Sequence, residues 1–164
     1  RARLNGANLT GANLTGANLT RSELKMANLT KAQLTGANLP EANLWKANLT
    51  EANLTKAELI DAHLTEANLT EANLTRARLN GAKLNQANLV KANLEGANLT
   101  EADLTDANLT DANLTKAKLN RSDLTGVNLE GANLTGAKLT EGQLFNATLC
   151  RTQLPWGEED NSGC

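Results

Sequence analysis

The residues that could carry out chemistry are few and widely spaced. The chain has one histidine, His63, and no cysteine or second histidine lies near it in sequence. A zinc site needs about three or four such ligands together, so no metal site is predicted. Paired carboxylates occur, for example Asp103 and Asp123. General acid–base catalysis also needs a pocket that excludes water, so the fold must decide whether these groups could act.

Both cysteines, Cys150 and Cys164, lie near the C-terminal end. A disulfide between them would close a small loop and stabilise the chain by about 2–3 kcal/mol. It would also favour an oxidising compartment. The alternative is two unrelated thiols, one of them on a frayed terminus, and the sequence leaves both open.

Composition and charge exclude several classes of function. Of the 164 residues, 40% are apolar but only 2% are aromatic, and the formal net charge is −2. This balance gives no long-range attraction toward nucleic acid or an anionic membrane. No apolar run approaches the roughly 18–20 residues that span a bilayer. Glycines five apart, such as Gly6 and Gly11, lack phosphate-binding spacing. We predict no nucleic acid partner, no membrane insertion and no cofactor.

A five-residue repeat dominates the chain. Leucine occupies position 4 and every fifth position up to Leu154, which makes thirty-one units. The residue two places before each leucine is alanine in 26 units and is small in most of the others. The consensus unit is Ala-Asn-Leu-Thr-X, in which X varies.

A period of five fits neither an α-helix nor a flat strand. On a helix, successive leucines would rotate by about 140° and spiral around the cylinder. In a strand, an odd repeat would place successive Ala–Leu pairs on opposite faces. Both conflicts disappear if the chain turns a corner once per unit, so that four units form a square coil. Thirty-one units then predict about 7.75 coils, stacked at the strand spacing of about 4.8 Å.

These units, for example Ala7-Asn8-Leu9-Thr10-Gly11, resemble the pentapeptide repeat family, and the match covers residues 2–154. The resemblance implies an all-β fold, a right-handed quadrilateral parallel β-helix. It also favours a bacterial or plastid origin, with cyanobacteria prominent. Most members of the family have no known activity, and a minority bind DNA gyrase as mimics of a DNA duplex.

The last residues leave the repeat, so we predict a β-helix over 1–154 and a capping tail over 155–164. Pro155 lacks a main-chain donor and would end the ladder. Trp156 is the predicted cap, because an open end of a β-helix is an unpaired edge. The chain opens at Arg1 without methionine, so a removed leader and a trimmed chain are both open. A leader would indicate the periplasm or thylakoid lumen, and its absence the cytoplasm.

Residues twenty apart should stack, which sorts the outward positions into four faces. Two faces carry almost only asparagine before the leucine, starting from Asn8 and Asn13, and we predict amide ladders along them. The other two faces vary. Their residues before the leucine are Arg3, Glu23, Asn43, His63, Lys83, Asp103, Asp123 and Gln143 on one, and Asn18, Asn38, Glu58, Arg78, Asn98, Lys118 and Lys138 on the other.

Departures from the consensus concentrate on these two variable faces, which we predict to be the recognition surface for a protein partner. The candidate residues are Trp45, Glu58, Ile60, His63, Arg78 and Lys83. The alternative is a merely solvated face. Its stacked opposite charges, such as Glu58 over Arg78 and Lys83 over Asp103, would then be weak pairs worth about 0–1 kcal/mol each.

A straight rod offers no cleft, so the chain is predicted not to be an enzyme. The favoured function is a structural or interaction module that binds an unidentified protein, with the oligomeric state open. A gyrase-binding duplex mimic is an alternative, but it would need dense negative charge along the rod. Regulation of one signalling partner is a further alternative, which the sequence does not separate from scaffolding.

Overall fold

A computed structural model describes residues 1–164. Regular elements are short: a 3₁₀ turn at Glu141–Leu144 and two strands, β1 at Thr152–Gln153 and β2 at Glu159–Asp160. Elsewhere, single parallel bridges join residues twenty apart along the repeat region, from Arg3 and Glu23 to Asn133 and Gln153. One coil therefore contains four units. No helix in the structure has the length and apolar character needed to cross a membrane.

Every main-chain N–H of a central unit is hydrogen-bonded. The Asn68 N–H donates to the preceding coil at 2.9 Å, and those of Leu69 and Glu71 donate to the following coil at 2.7 and 2.9 Å. The Ala72 N–H donates back across the corner to the Leu69 carbonyl at 3.0 Å. Only the Thr70 N–H has no main-chain acceptor, and it donates to the Asn68 Oδ1 at 3.1 Å. Every main-chain donor of this unit thus has a partner, which favours a stable fold.

The asparagine side chains therefore form most of their hydrogen bonds within their own unit and few with the next coil. The predicted amide ladder is wrong for the column that starts at Asn8, where no side-chain amide bonds to another coil. In the column of Asn13, two such bonds form, from Asn53 to Gln33 at 3.3 Å and from Asn113 to Asn93 at 3.2 Å. The local bond prevails because an asparagine side chain readily accepts from the N–H two residues on.

The core is a single channel of stacked leucine and alanine. Forty-nine residues form one buried cluster, and most of its leucines and alanines are completely inaccessible. Burying one leucine contributes about 1.5–3 kcal/mol. We number the faces by chain order: face 1 contains Leu4 and every twentieth residue after it, face 2 Leu9, face 3 Leu14 and face 4 Leu19. A corner is named by the faces that it joins.

Each corner requires an unusual backbone conformation. Every fifth residue from Gly6 to Gly136 has a positive φ, between 53° and 69°, although most of these residues are not glycine. A positive φ at the third residue is what a type II turn requires. It costs a non-glycine residue about 1–2 kcal/mol. The leucine that each unit buries, together with the hydrogen bonds between coils, offsets this cost.

The regular stack breaks near the C-terminal end. The twenty-residue spacing predicts that Asp123 pairs with Gln143, but this bridge does not form, and the chain enters the 3₁₀ turn instead. The Gln143 side-chain amide donates to the carbonyls of Leu119 at 2.7 Å and Ser122 at 2.9 Å. The side chain thus occupies the Ser122 carbonyl, to which the Gln143 N–H would donate in a regular coil, as the Asp123 N–H donates to Ala102.

The tail folds back on the last repeats. Strand β2 pairs antiparallel with β1, so Thr152 lies opposite Asp160. The Leu154 N–H donates to the Glu158 carbonyl at 2.7 Å. Cys150 and Cys164 are joined by a disulfide across a separation of 14 residues.

Reduction of this disulfide is expected to loosen the tail. A loop of about 15 residues corresponds to roughly 3 kcal/mol in the chain-entropy description. Because stability in a stacked array is carried by neighbouring repeats, the loss should be confined to the last coil and the tail. Hydrogen exchange with and without reductant should show faster exchange only beyond about residue 140. A variant with both cysteines changed to serine should not respond to reductant, and equal exchange in the oxidised and reduced wild type would contradict the prediction.

Candidate functional site

The six predicted surface residues lie on two adjoining faces. Trp45, His63 and Lys83 belong to face 1, where the bridges join Asn43 to His63 and His63 to Lys83. Glu58, Ile60 and Arg78 belong to face 4, where Glu58 is bridged to Arg78. The fold therefore groups these residues on three successive coils on either side of corner 4–1.

Only one of the two predicted charge pairs forms. The Arg78 guanidinium donates to the Glu58 carboxylate at 2.8 Å. Lys83 and Asp103 are bridged through their main chains, yet their side chains do not pair. The Asp103 Oδ1 instead accepts from the Thr105 N–H at 3.0 Å and from its hydroxyl at 2.7 Å. A carboxylate already held within its own unit has less to gain from an exposed lysine.

Four candidate residues replace the asparagine that completes the unit. Glu58, His63, Arg78 and Lys83 stand where the consensus has Asn. None of the four accepts the N–H two residues further on, and those N–H groups, at Ile60, Thr65, Asn80 and Asn85, have no protein acceptor. Each substitution thus gives up one local hydrogen bond for a charged or titratable side chain that faces outward.

Trp45 is the aromatic component of this surface. It is 36% exposed, and the Lys46 ammonium lies 4.7 Å from the centroid of its ring. A cation over an aromatic face is attracted by the ring quadrupole and helps to fix its orientation. The Trp45 N–H donates to the Asn43 Oδ1 at 3.2 Å. The ring is therefore held in place while part of it stays accessible.

A polar groove of about 520 Å³ runs along corner 4–1. None of its lining residues is hydrophobic; they are Arg1, Arg21, Glu23, Glu41, Asn43, Asp61, His63, Gly81 and Lys83. His63 and Lys83 are among the candidate residues predicted from the sequence, whereas the corner residues Arg21, Glu41 and Asp61 are not. The twenty-residue stacking, applied to the fifth position of each unit, would have found them.

The groove contains charges of both signs, which partly neutralise one another. Arg21 donates two hydrogen bonds to Glu41, at 2.9 and 3.0 Å. The hydrogen bond from Arg21 lowers the pKa of the Glu41 carboxyl, and the same hydrogen bond raises the pKa of the Arg21 guanidinium. Both groups thus stay charged near neutral pH. The groove offers fixed charges and hydrogen-bonding groups, which suit recognition of a polar protein surface.

The chemistry available elsewhere is sparse. No cluster of three or more His, Cys, Asp or Glu side chains could hold a metal ion. At the C-terminal end, Trp156 lies beside Leu149 and Leu154 around a depression of about 530 Å³. Trp156 is 45% exposed and Phe145 is 86% exposed. The role of Trp156 as a cap stays a prediction.

The fold and repeat define the class of protein as a solenoid of five-residue units. The family model for pentapeptide repeats matches in eight copies, over residues 1–32, 27–65, 47–86, 87–126 and 112–149. The chain belongs to the pentapeptide repeat family, whose members fold as right-handed quadrilateral β-helices.

Several solved structures are similar to this chain. HetL, a pentapeptide repeat protein involved in heterocyst differentiation regulation from the cyanobacterium Nostoc sp. Strain PCC 7120, is 35% identical; the alignment covers 97% of this chain and 87% of HetL, with a TM-score of 0.42. Full-length QnrB1, a plasmid-mediated fluoroquinolone resistance protein, is 16% identical, with coverage of 99% and 90% and a TM-score of 0.52. That likeness shows the fold alone.

A third similar structure comes from a plant. A pentapeptide repeat protein from the Arabidopsis thaliana thylakoid lumen is 26% identical over 85% of this chain and 73% of that protein, with a TM-score of 0.38. No curated protein matches the sequence.

Proposed function

We propose that the chain is a non-catalytic interaction module that presents faces 1 and 4 of a rigid β-helix, about 7.75 coils long, to a protein partner. The recognition surface is centred on the six residues Trp45, Glu58, Ile60, His63, Arg78 and Lys83. One observation carries the proposal: four of them occupy positions where asparagine would add a hydrogen bond to the unit. A residue that forgoes a stabilising bond on an otherwise uniform scaffold is more consistent with recognition than with folding.

The composition of the surface supports this proposal. It combines a partly exposed tryptophan, an ion pair between Glu58 and Arg78, and the neighbouring polar groove. Tryptophan and arginine are enriched among the residues that dominate protein–protein binding energies. Faces 2 and 3, by contrast, present repeated asparagine and threonine, whose side chains bond largely within their own units.

Charge supports recognition of a protein more than imitation of a DNA duplex. A duplex mimic substitutes for phosphates and needs continuous negative charge. On face 4, Lys118 is bridged to Lys138 on the next coil, and neither forms an ion pair. The fold likeness to QnrB1 therefore does not extend to a charge pattern suited to a DNA-binding enzyme.

The disulfide and the relatives together favour an extracytoplasmic location. Disulfides persist mainly in oxidising compartments, and Cys150 is bonded to Cys164. Similar proteins come from cyanobacteria and from a thylakoid lumen. We infer a bacterial or plastid origin, with the periplasm or thylakoid lumen as the compartment.

A double substitution tests the proposed surface. Trp45→Ala with Arg78→Glu should weaken binding to the native partner by at least about tenfold, or 1.4 kcal/mol, because both anchor types are removed. The measurement is quantitative capture of proteins from an extract of the native host on immobilised chain, followed by titration of the captured partner.

The matched control is Val90→Ala with Lys91→Glu, which makes comparable changes on face 2 and its corner. This control should retain the partner with wild-type affinity. If the double variant on faces 1 and 4 bound every captured protein as tightly as the wild type, the proposed surface would be wrong.

A further inference from the structure

The charges at the four corners form a pattern that extends beyond the six residues of the proposed recognition surface. Corner 3–4 is basic, with Lys56, Arg76 and Lys116 at its exposed fifth positions, and the remaining residues of this column up to Gly136 are glycine. None of these three cations forms an ion pair within the chain. Corner 2–3, on the other side of face 3, has acidic residues on the same three coils, namely Glu51, Glu71 and Asp111.

We propose that copies of this chain associate side by side in a row, with face 4 of one copy against face 2 of the next. The neighbouring copy is offset along the axis by half a coil, about 2.4 Å, so that Leu59 of one copy is level with Leu49 of the next. Without this offset, Asp61 would face Glu66 and Glu101 would face Asp106. Faces 2 and 4 are opposite sides of the coil, so a translation without rotation brings them together. Corner 3–4 of one copy then meets corner 2–3 of its neighbour, because both border face 3. Corner 4–1 likewise meets corner 1–2, because both border face 1.

In this arrangement, charges of opposite sign face each other and no like charges do. The facing pairs are Lys56 and Glu51, Arg76 and Glu71, Lys116 and Asp111, Asp61 and Lys46, Arg121 and Asp106, and Lys138 and Glu130. All other facing positions contain at least one neutral residue. Because the two surfaces come from the same fold, they share one coil spacing, and the match persists along the rod. Complementary potentials of this kind select both the partner and its alignment.

Shape follows the same pattern as charge. Two corner glycines face a lysine of the neighbour: Gly36 faces Lys31, and Gly96 faces Lys91. A Cβ at Gly36 would meet nothing within 4 Å, and one at Gly96 would meet only the Arg76 side chain at 3.5 Å. At these two positions a long side chain is thus set against a small residue.

Other arrangements place like charges together. If face 1 were set against face 3, one register would place Arg121 opposite Lys116 and Glu66 opposite Glu51. The next register would place Glu66 opposite Glu71 and Asp106 opposite Asp111. A shift of one coil between faces 4 and 2 would oppose Arg76 and Lys91 in one direction. In the other direction it would oppose Lys56 and Lys31. Like charges placed directly opposite destabilise a contact, so both the pair of faces and the register are specified.

The row and the proposed partner surface share face 4, with Glu58, Ile60 and Arg78, and differ in that the row leaves face 1 free. Its contact is heterologous and does not close, so it extends as a row of copies. Face 1, with Trp45, His63 and Lys83, stays at the side of the row and remains accessible. A substitution on face 1, such as Trp45→Ala, should therefore leave self-association unchanged, whereas partner binding should fall.

Charge reversal tests the row. Sedimentation at about 0.01 M salt, where the Debye length is about 30 Å, should show concentration-dependent association of the wild type, and about 1 M salt should abolish it. A basic variant changes Glu51, Glu71 and Asp111 to Lys, and an acidic variant changes Lys56, Arg76 and Lys116 to Glu. Each alone should sediment as a monomer, and an equimolar mixture should associate again. Lysine and glutamate already occupy other corners, so both variants should fold.

A face 1 variant controls for net charge. Changing Arg3, Lys25 and Lys83 to Glu alters the net charge as much as the acidic variant does, but away from faces 2 and 4. This control should associate like the wild type. A wild type that is monomeric at both salt concentrations, or triple variants that associate unmixed, would overturn the proposal.

Cysteine pairs test the register. Lys118 of one copy should lie opposite Thr110 of the next, so Lys118→Cys with Thr110→Cys should give a ladder of linked chains on a non-reducing gel. Within one chain these two positions are on opposite faces and cannot bond. The control, Lys118→Cys with Val90→Cys, is displaced by one coil and should stay monomeric. Equal linking of the two variants would exclude the proposed register.

Discussion

Replacing Leu69 with alanine is expected to lower the free energy of unfolding by about 3–5 kcal/mol, the upper part of the range for such truncations. Leu69 is completely buried, and leucines of the coils on either side belong to the same core. The channel is lined along its length by the same two residue types and has no flexible side chain that could fill the gap. In a stacked array, a defect in the middle also weakens the interfaces on both sides. Urea denaturation followed by circular dichroism would measure the loss.

Leu9→Ala is the matched control for this truncation. Leu9 occupies the same face but is only partly buried, in the first coil. Because it packs against a neighbouring coil on one side only, its truncation should cost clearly less. Equal losses at the two positions would show that the coils do not stabilise one another as a stack.

Proline at two adjacent positions is expected to have opposite effects. At Gly81→Pro, the ring would fix φ near −65° where the corner has +64°. It would also remove the N–H that donates to Thr100 at 3.0 Å. We expect a loss of at least about 3 kcal/mol, similar to that of proline inside a helix. Thermal and urea unfolding would both detect it.

The preceding residue provides the matched control. Asn80 lies in the column that contains Pro40 two coils earlier, its N–H has no acceptor, and its Oδ1 is buried without a hydrogen bond. Asn80→Pro should therefore stabilise the chain by about 0.4–1 kcal/mol, because it restricts the unfolded chain without removing a native bond. If Gly81→Pro were as stable as the wild type, the corners would not depend on positive φ.

Much of the proposed recognition surface follows from the twenty-residue spacing in the sequence. A spacing of twenty places His63 over Asn43 and under Lys83, and the structure bridges these residues in that order. The same spacing places Glu58 beside Arg78, and they form an ion pair. It does not reveal which side chain is already engaged. The Asp103 carboxylate accepts from Thr105 within its own unit. The spacing alone therefore predicted an ion pair with Lys83 that does not form.

The repeat by itself determined the coil of four units, the inward direction of Leu and Ala, and the grouping of outward residues into faces. It could do so because a period of five, with two apolar residues in each unit, keeps both of them pointing inward only if the chain turns a corner in every unit. The sequence also provided the corner charges from which the row is inferred, since neighbouring residues in one column are always twenty positions apart.

Only the tertiary structure decided how the polar atoms are used. Every consensus asparagine except Asn38, which is followed two places on by Pro40, accepts a hydrogen bond from the N–H two residues on. In three dimensions that donor is the one that the neighbouring coils leave free. The break at Gln143 and the joining of Cys150 to Cys164 likewise depend on which carbonyls and thiols come within reach when the chain folds back. Periodicity fixes which way side chains point, whereas hydrogen bonds depend on distances that only the folded chain sets.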